Sequence, residues 1–261
     1  MKLSYKQYST VGRPLIILHG LFGQQGNWAV HAKAFAENFK VYGFDVRNHG
    51  KSLHADSMSY QEMAEDVVQM MDALGISNAD FIGHSMGGKI AMRLALNSPE
   101  RVNKLVVVDI APVIYDSGPN QELTALLKIN LASVTNRKQV DALLREDVPS
   151  KAIRDFLLTN LQRNSESEFQ WRMNLPIISK DYSKLINWES GGGGKKGHTK
   201  FLGETLFVKG ELSSYLLPEY SDKTLAQFPK AKVKVISNAG HWVHNAKPEQ
   251  FFKIVQLFLL G

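Results

Sequence analysis

The chain has 261 residues and no cysteine, with 31 Lys and Arg against 25 Asp and Glu for a net charge of +6. The missing thiols exclude a disulfide framework, a thiolate metal site and a cysteine nucleophile together. The start MKLSYKQYST has no apolar h-region and no apolar run approaches the ~20 residues that span a bilayer, so a cytoplasmic protein without a membrane span is expected.

In chain order, short apolar runs alternate with longer helical patterns, the mark of parallel strands joined by crossover helices. Strands are predicted at Lys2 to Tyr8, Leu15 to Leu18, Val41 to Phe44, Asp80 to Ile82, Lys104 to Asp109, Thr205 to Val208 and Lys232 to Ser237. The fold class is therefore α/β, a mostly parallel central sheet flanked by helices. The clearest helix runs from Ser59 to Leu74: Ser59 and Glu62 form a capping-box pattern, and Met63, Val67, Met70 and Met71 fall on one face. Those methionines read as core packing rather than a cofactor site.

The alternation breaks after Asp109. From Gly118 to about Trp188 the pattern is helical without a strong strand, with helices at Gln121 to Leu131, Arg137 to Glu146 and Lys151 to Gln162. An inserted helical subdomain at 111–190 within a single 1–261 domain accounts for this. It ends in SGGGGKKGHTK, where 191–200 reads as a flexible Gly/Lys loop. That loop is no phosphate-binding motif, because no Gly-Lys-Ser/Thr follows at the right spacing. Residues 111–200 carry 13 basic and 10 acidic side chains, and Lys195, Lys196 and Lys200 supply the whole excess. In the last strand Lys230, Lys232 and Lys234 share a face, but no aromatic residues interleave to stack bases, so nucleic acid is not an expected partner.

Chemistry concentrates at strand ends. Asp80 to Ile82 runs into Gly83-His84-Ser85-Met86-Gly87-Gly88 and then a helical pattern to Asn97, which puts G-x-S-x-G in the strand-turn-helix setting the motif requires. The turn forces Ser85 into a strained backbone and presents it at a helix N-terminus, where backbone N–H groups favour a developing oxyanion. Serine needs a base. Of His198, His241 and His244, the best placed is His241, in a short loop at the carboxyl end of the last strand; His198 sits in the glycine-rich loop, and His244 is expected at the surface or behind His241. The orienting acid is Asp109, at the end of the strand after the nucleophile strand, with Glu211 the alternative. Backbone N–H groups of Met86 and Leu21, with Phe22 next, are the candidates for an oxyanion hole. Phe22 and Trp242 are candidates for the substrate pocket, with Trp171 and Met173 the other contenders. Asp45 to Ser52 reads as a hydrogen-bonded turn, and His19, His49, His54 and His84 lack the paired spacing of a metal site, so neither metal nor cofactor is expected.

With His19-Gly20 after one strand, GHSMGG at 83–88 after another and Gly240-His241 after the last, the chain resembles the α/β-hydrolase superfamily along nearly its whole length. HGLFG at 19–23, DVRNHGKS at 45–52 and MSYQEMAEDV at 58–67 look like the small bacterial esterases and their mitochondrial relatives that act on acyl esters and acyl-CoA thioesters. The resemblance implies a serine esterase or thioesterase with a small-molecule acyl substrate and a helical lid over an acyl pocket. It also implies a triad acid at Asp109, with Ser213 where the acid more commonly stands. A carbon–carbon bond hydrolase or lyase of this fold, and a non-catalytic ligand-binding protein, are the competing readings. Dehalogenases and epoxide hydrolases are excluded, because they need an aspartate where Ser85 stands.

Overall fold

A computed structural model describes residues 1–115, 118, 120–188 and 199–261. Strands β1 (Tyr5–Gln7), β2 (Arg13–Leu18), β3 (Phe39–Phe44), β4 (Ala79–His84) and β5 (Val102–Val108) come first, then the short pair β6 (Leu161–Arg163) and β7 (Phe169–Trp171), then β8 (Glu204–Gly210) and β9 (Ala231–Ile236). Seven of them form one sheet in the order β1-β3-β2-β4-β5-β8-β9, parallel throughout except for β1 on β3. All seven predicted strands are these seven, the first of them shorter than the pattern implied.

Alternation along the strands builds two cores. Ile16, Leu18, Phe81 and Val107 face one side, and Leu15, Ile17, Ile82 and Val106 face the other. The first side is covered by α2 (Tyr60–Ala73) and α3 (Met86–Asn97), through Met63, Val67, Met71, Ile90 and Leu94. The second is covered by α1 (Ala29–Phe35) and the C-terminal helix Pro248–Leu260, through Phe35, Phe251 and Val255. The methionines of α2 are core residues, as their spacing predicts. At its N-terminus Ser59 Oγ accepts the Glu62 N–H at 3.3 Å. The Glu62 carboxylate does not return to the Ser59 backbone as a full capping box would, but takes the hydroxyls of Ser57 and Ser59 and the Arg47 guanidinium.

Between β5 and β8 lie α4 (Gln121–Lys128), α5 (Arg137–Leu144), α6 (Lys151–Leu158), α7 (Leu175–Lys180) and α8 (Tyr182–Ile186). The expectation of helices without a strong strand for this segment omits one short element. The β6–β7 hairpin interrupts it, with Leu161 opposite Trp171 and Arg163 opposite Phe169. Its turn is closed by Asn164 and Glu168, and the Arg163 guanidinium lies 4.1 Å from the Phe169 ring centre. The segment 189–198, including Gly191 to Gly194, Lys195, Lys196 and His198, lies outside the described residues, and Lys200 is exposed. After β8 come α9 (Ser221–Gln227), the single turn α10 (Val243–Ala246) and α11, the C-terminal helix already placed.

Candidate active site

Ser85 stands between β4 and α3 with φ 52° and ψ −117°, a backbone conformation that a non-glycine residue adopts only when its surroundings impose it. Neighbouring glycines make room for it: a Cβ on Gly83 would lie 2.3 Å from the Gly87 carbonyl oxygen, and one on Gly87 2.3 Å from that of Leu18. The Ser85 N–H donates to the Val108 carbonyl at 3.0 Å, and the Ser85 carbonyl accepts the Lys89 N–H at 3.1 Å as α3 begins. Met86 is the first residue of α3, where an N–H has no partner within the helix.

Asp109 repeats the device one strand over. Its φ is 53°, its N–H donates to the Val208 carbonyl at 2.9 Å, and its side chain is fully buried. Oδ1 accepts the Gly210 N–H at 2.9 Å, and Oδ2 accepts the Ser213 hydroxyl and lies 2.8 Å from His241 Nδ1. That contact favours the proton on Nδ1, which leaves Nε2 of His241 an acceptor. Glu211 is not brought to this histidine: its exposed carboxylate accepts the Asn238 N–H at 2.8 Å.

The His241 ring is stacked on Tyr215 at 4.0 Å, and His84 Nε2 donates to the His241 carbonyl at 2.9 Å. Burial holds the His84 pKa down to about 3, so it is a neutral donor. His244 takes the second of its two expected places, behind His241: its ring packs 4.7 Å from His84, whose Nε2 donates to the His241 carbonyl. It is buried, stacked at 4.2 Å on Trp28, and held by burial well below the ordinary histidine pKa.

The loop 20–23 closes by a bond from the Gly23 N–H to the Gly20 carbonyl at 3.0 Å. That carbonyl also faces His19 Nδ1 at 2.8 Å, so both partners orient the peptide whose other end is the Leu21 N–H. The Phe22 N–H is taken by His49 Nε2 at 3.2 Å, which separates the two oxyanion candidates: Phe22 is engaged, whereas the Leu21 N–H has no acceptor among the described residues. His19 and His49 serve as neutral rings because burial lowers their pKa values to about 4 and about 3.

Ser85, His241, Leu21 and Met86 line one cavity of about 170 Å³, comparable to the ~150 Å³ void that accepts a benzene-sized ligand. Phe22 and Trp242 line it too, and Trp171 and Met173 do not. Residues from the β5–β8 segment, among them Ile153, Phe156 and Leu185, line it as well. Sequence reasoning missed Lys89 and Tyr215. Lys89 is one turn along α3 from Ser85, a spacing that signals a shared face. It is buried at the cavity wall with its pKa lowered to about 7 by burial, and donates to the carbonyls of Val113 and Asn187 at 3.0 and 3.1 Å. Among the described residues no cluster of His, Asp or Glu is arranged to hold a metal ion, and no helix is long and apolar enough to cross a membrane.

A family model of the alpha/beta hydrolase fold matches residues 13–248. The chain belongs to that family. This hydrolase-fold chain is 35% identical over 247 residues to the esterase YbfF of Escherichia coli, covering 94% of this chain and 92% of the relative. It is 38% identical over 267 residues to the Xenopus laevis protein named sn-1-specific diacylglycerol lipase ABHD11, covering 98% and 83%. A solved marine microorganism esterase superposes with a TM-score of 0.94 at 36% identity, over 98% of this chain and 99% of that one.

Proposed function

We propose that this protein is a serine hydrolase that cleaves carboxylic ester bonds through an acyl-enzyme, with Ser85, His241 and Asp109 as its triad. The observation that carries the reading is the pairing of a strained Ser85 with His241 in one cavity, the histidine's Nδ1 lying 2.8 Å from a fully buried carboxylate. Ser85 Oγ attacks the carbonyl carbon while His241 Nε2 takes its proton, and the carbonyl electron pair moves onto an oxygen received by the N–H groups of Leu21 and Met86. Collapse expels the alcohol, which leaves with the proton from His241. Water then repeats the sequence to release the acid. Asp109 fixes the imidazole tautomer and offsets the charge it gains.

The esterase and lipase names of the relatives support ester bonds as the substrate class. Acyl-CoA thioesters extend the proposal, since the same attack serves a thiolate leaving group. The share that Ile153, Phe156 and Leu185 take in lining the cavity supports residues 111–190 as a lid over an acyl pocket lined by Phe22 and Trp242. A panel of nitrophenyl esters and acyl-CoA substrates of rising chain length, run on the parent protein and on Ser85→Ala, tests the whole reading. Ester turnover that is abolished in Ser85→Ala is expected; turnover that persists there overturns the assignment.

A further inference from the structure

Phe22 has φ 60°, left-handed backbone that a bulky side chain adopts only when its surroundings hold it. Two side chains grip its peptide groups. His49 Nε2 accepts the Phe22 N–H at 3.2 Å, and Asn160 Nδ2 donates to the Phe22 carbonyl at 2.7 Å. His49 comes from the turn after β3, whereas Asn160 sits where α6 gives way to β6, inside the segment between β5 and β8. Asn160 is fully buried, and its Oδ1 has no partner among the described residues. An apolar side chain would remove the orphaned Oδ1 but leave the buried Phe22 carbonyl without its donor, so the amide's own desolvation penalty is offset in part by its donation to Phe22.

The insertion reaches the loop twice more, from Thr159 at this junction and from Arg172 after β7, whose N–H donates to the Asn160 carbonyl at 2.8 Å. Gln24 Nε2 donates to the Thr159 carbonyl at 3.2 Å, and Arg172 Nη1 donates to Gln24 Oε1 at 3.1 Å. In the last turn of α6, Phe156 lies against Trp242 with ring centres 5.2 Å apart, beside His241. One junction of the insertion therefore touches both walls of the cavity, the Leu21 loop and the His241 loop.

We infer that Asn160 is a positioning residue through which the insertion holds the oxyanion loop. With the insertion seated, Asn160 and His49 clamp Phe22 from opposite ends and so aim the preceding Leu21 N–H into the cavity. With it displaced, one half of the clamp leaves and the donor loses its aim. The inference rests on the role of Leu21 proposed above. It adds that the insertion helps assemble the site as well as lining it, so that loss of its seating lowers turnover even when substrate still enters.

The test compares Asn160→Ala, Asn160→Leu, His49→Ala and His49→Gln on a short nitrophenyl ester. Inhibition by an alkyl trifluoromethyl ketone is measured alongside. Ser85 Oγ adds to that ketone's carbon, the proton passes to His241, and the carbonyl electron pair becomes an oxyanion that needs the Leu21 N–H. A misaimed donor is expected to lower kcat by about 10- to 100-fold in both Asn160 variants. KM should stay within about threefold, and the ketone should weaken by the same factor as kcat. Asn160→Leu, which trades the orphaned Oδ1 for an orphaned Phe22 carbonyl, is expected to melt within a few degrees of the parent while losing that turnover. His49→Gln, whose amide oxygen can accept the Phe22 N–H, should recover most of what His49→Ala loses. Parent-like kcat and ketone inhibition in Asn160→Leu, with Ser85→Ala inactive, overturn the clamp and leave the proposed function standing. Activity that survives in Ser85→Ala instead removes the reading on which the clamp rests.

Discussion

Replacing Asp109 by Asn puts the proposed triad to its sharpest test, because the buried carboxylate has three donors around two oxygens. The Gly210 N–H faces Oδ1, while the Ser213 hydroxyl and His241 Nδ1 face Oδ2. An asparagine that keeps its oxygen toward Gly210 must turn its NH2 toward Ser213 and His241. The serine hydroxyl can rotate and accept. The imidazole can accept only by moving its proton to Nε2, the atom that must receive the Ser85 proton. The flipped amide is no better, since it sets an NH2 against the Gly210 N–H in a site without water access. The wrong tautomer costs about 10⁴-fold in kcat in a comparable triad, ~5.5 kcal/mol at 1.36 kcal/mol per decade. Steady-state hydrolysis of a nitrophenyl ester, with thermal melts to verify folding, measures it. Glu211→Gln is the matched control: its exposed carboxylate accepts the Asn238 N–H and has no other partner among the described residues, so turnover should stay within about threefold. A parent-like Asp109→Asn, or a Glu211→Gln that loses three decades, would refute the reasoning.

Acid should unfold the protein steeply. His19, His49, His84 and His244 are all held below the ordinary pKa by burial, the first three to about 4, 3 and 3. The unfolded chain binds protons at these rings below about pH 6.5 while the fold refuses them, so stability is full above neutrality and falls as pH drops from 6.5 toward 4. Each ring contributes up to ~1.4 kcal/mol per pH unit in that window; a denaturant midpoint that does not fall between pH 7 and 5 would contradict this. Gly87→Ala places a methyl 2.3 Å from the Leu18 carbonyl oxygen, so it should cost at least 1–3 kcal/mol and lower turnover, read by melts and ester kinetics. Trp28→Ala removes the ring on which His244 stacks and should destabilise by about 3–5 kcal/mol in chemical denaturation.

How much of this was legible in the sequence depends on what covers each element. Leu15 to Leu18 and Leu105 to Val108 declare themselves because both faces of those strands are buried, so no polar residue interrupts the run. The strand-end positions of Ser85, Asp109 and His241 follow from the same runs. The β6–β7 hairpin does not declare itself: Leu161-Gln162-Arg163 and Phe169-Gln170-Trp171 are too short for any period, and their pairing is decided by packing within the insertion. His244 reads as superficial or behind His241 because α10 is a single turn with no period to read, and its burial comes from Trp28, His31, His84 and Phe251 packed around it. Lys89 and Tyr215 were hidden for a related reason. Which side chains face a cavity is set by the segment that folds back over it, and that path is not written in local spacing.

The hydroxyl of Ser213 reaches the carboxylate of Asp109 from the loop after β8, although the two residues belong to neighbouring strand ends. The sheet thus provides two adjacent pedestals from which one imidazole can be addressed. An acid is portable between them in principle: exchanging the pair as Asp109→Ser with Ser213→Asp keeps one carboxylate and one hydroxyl at the same meeting point. A chain so altered should recover part of the turnover that Asp109→Ser alone forfeits. The triad acid would then belong to a location in space that two stretches of chain share, and its address in the sequence would be a matter of history rather than of chemistry.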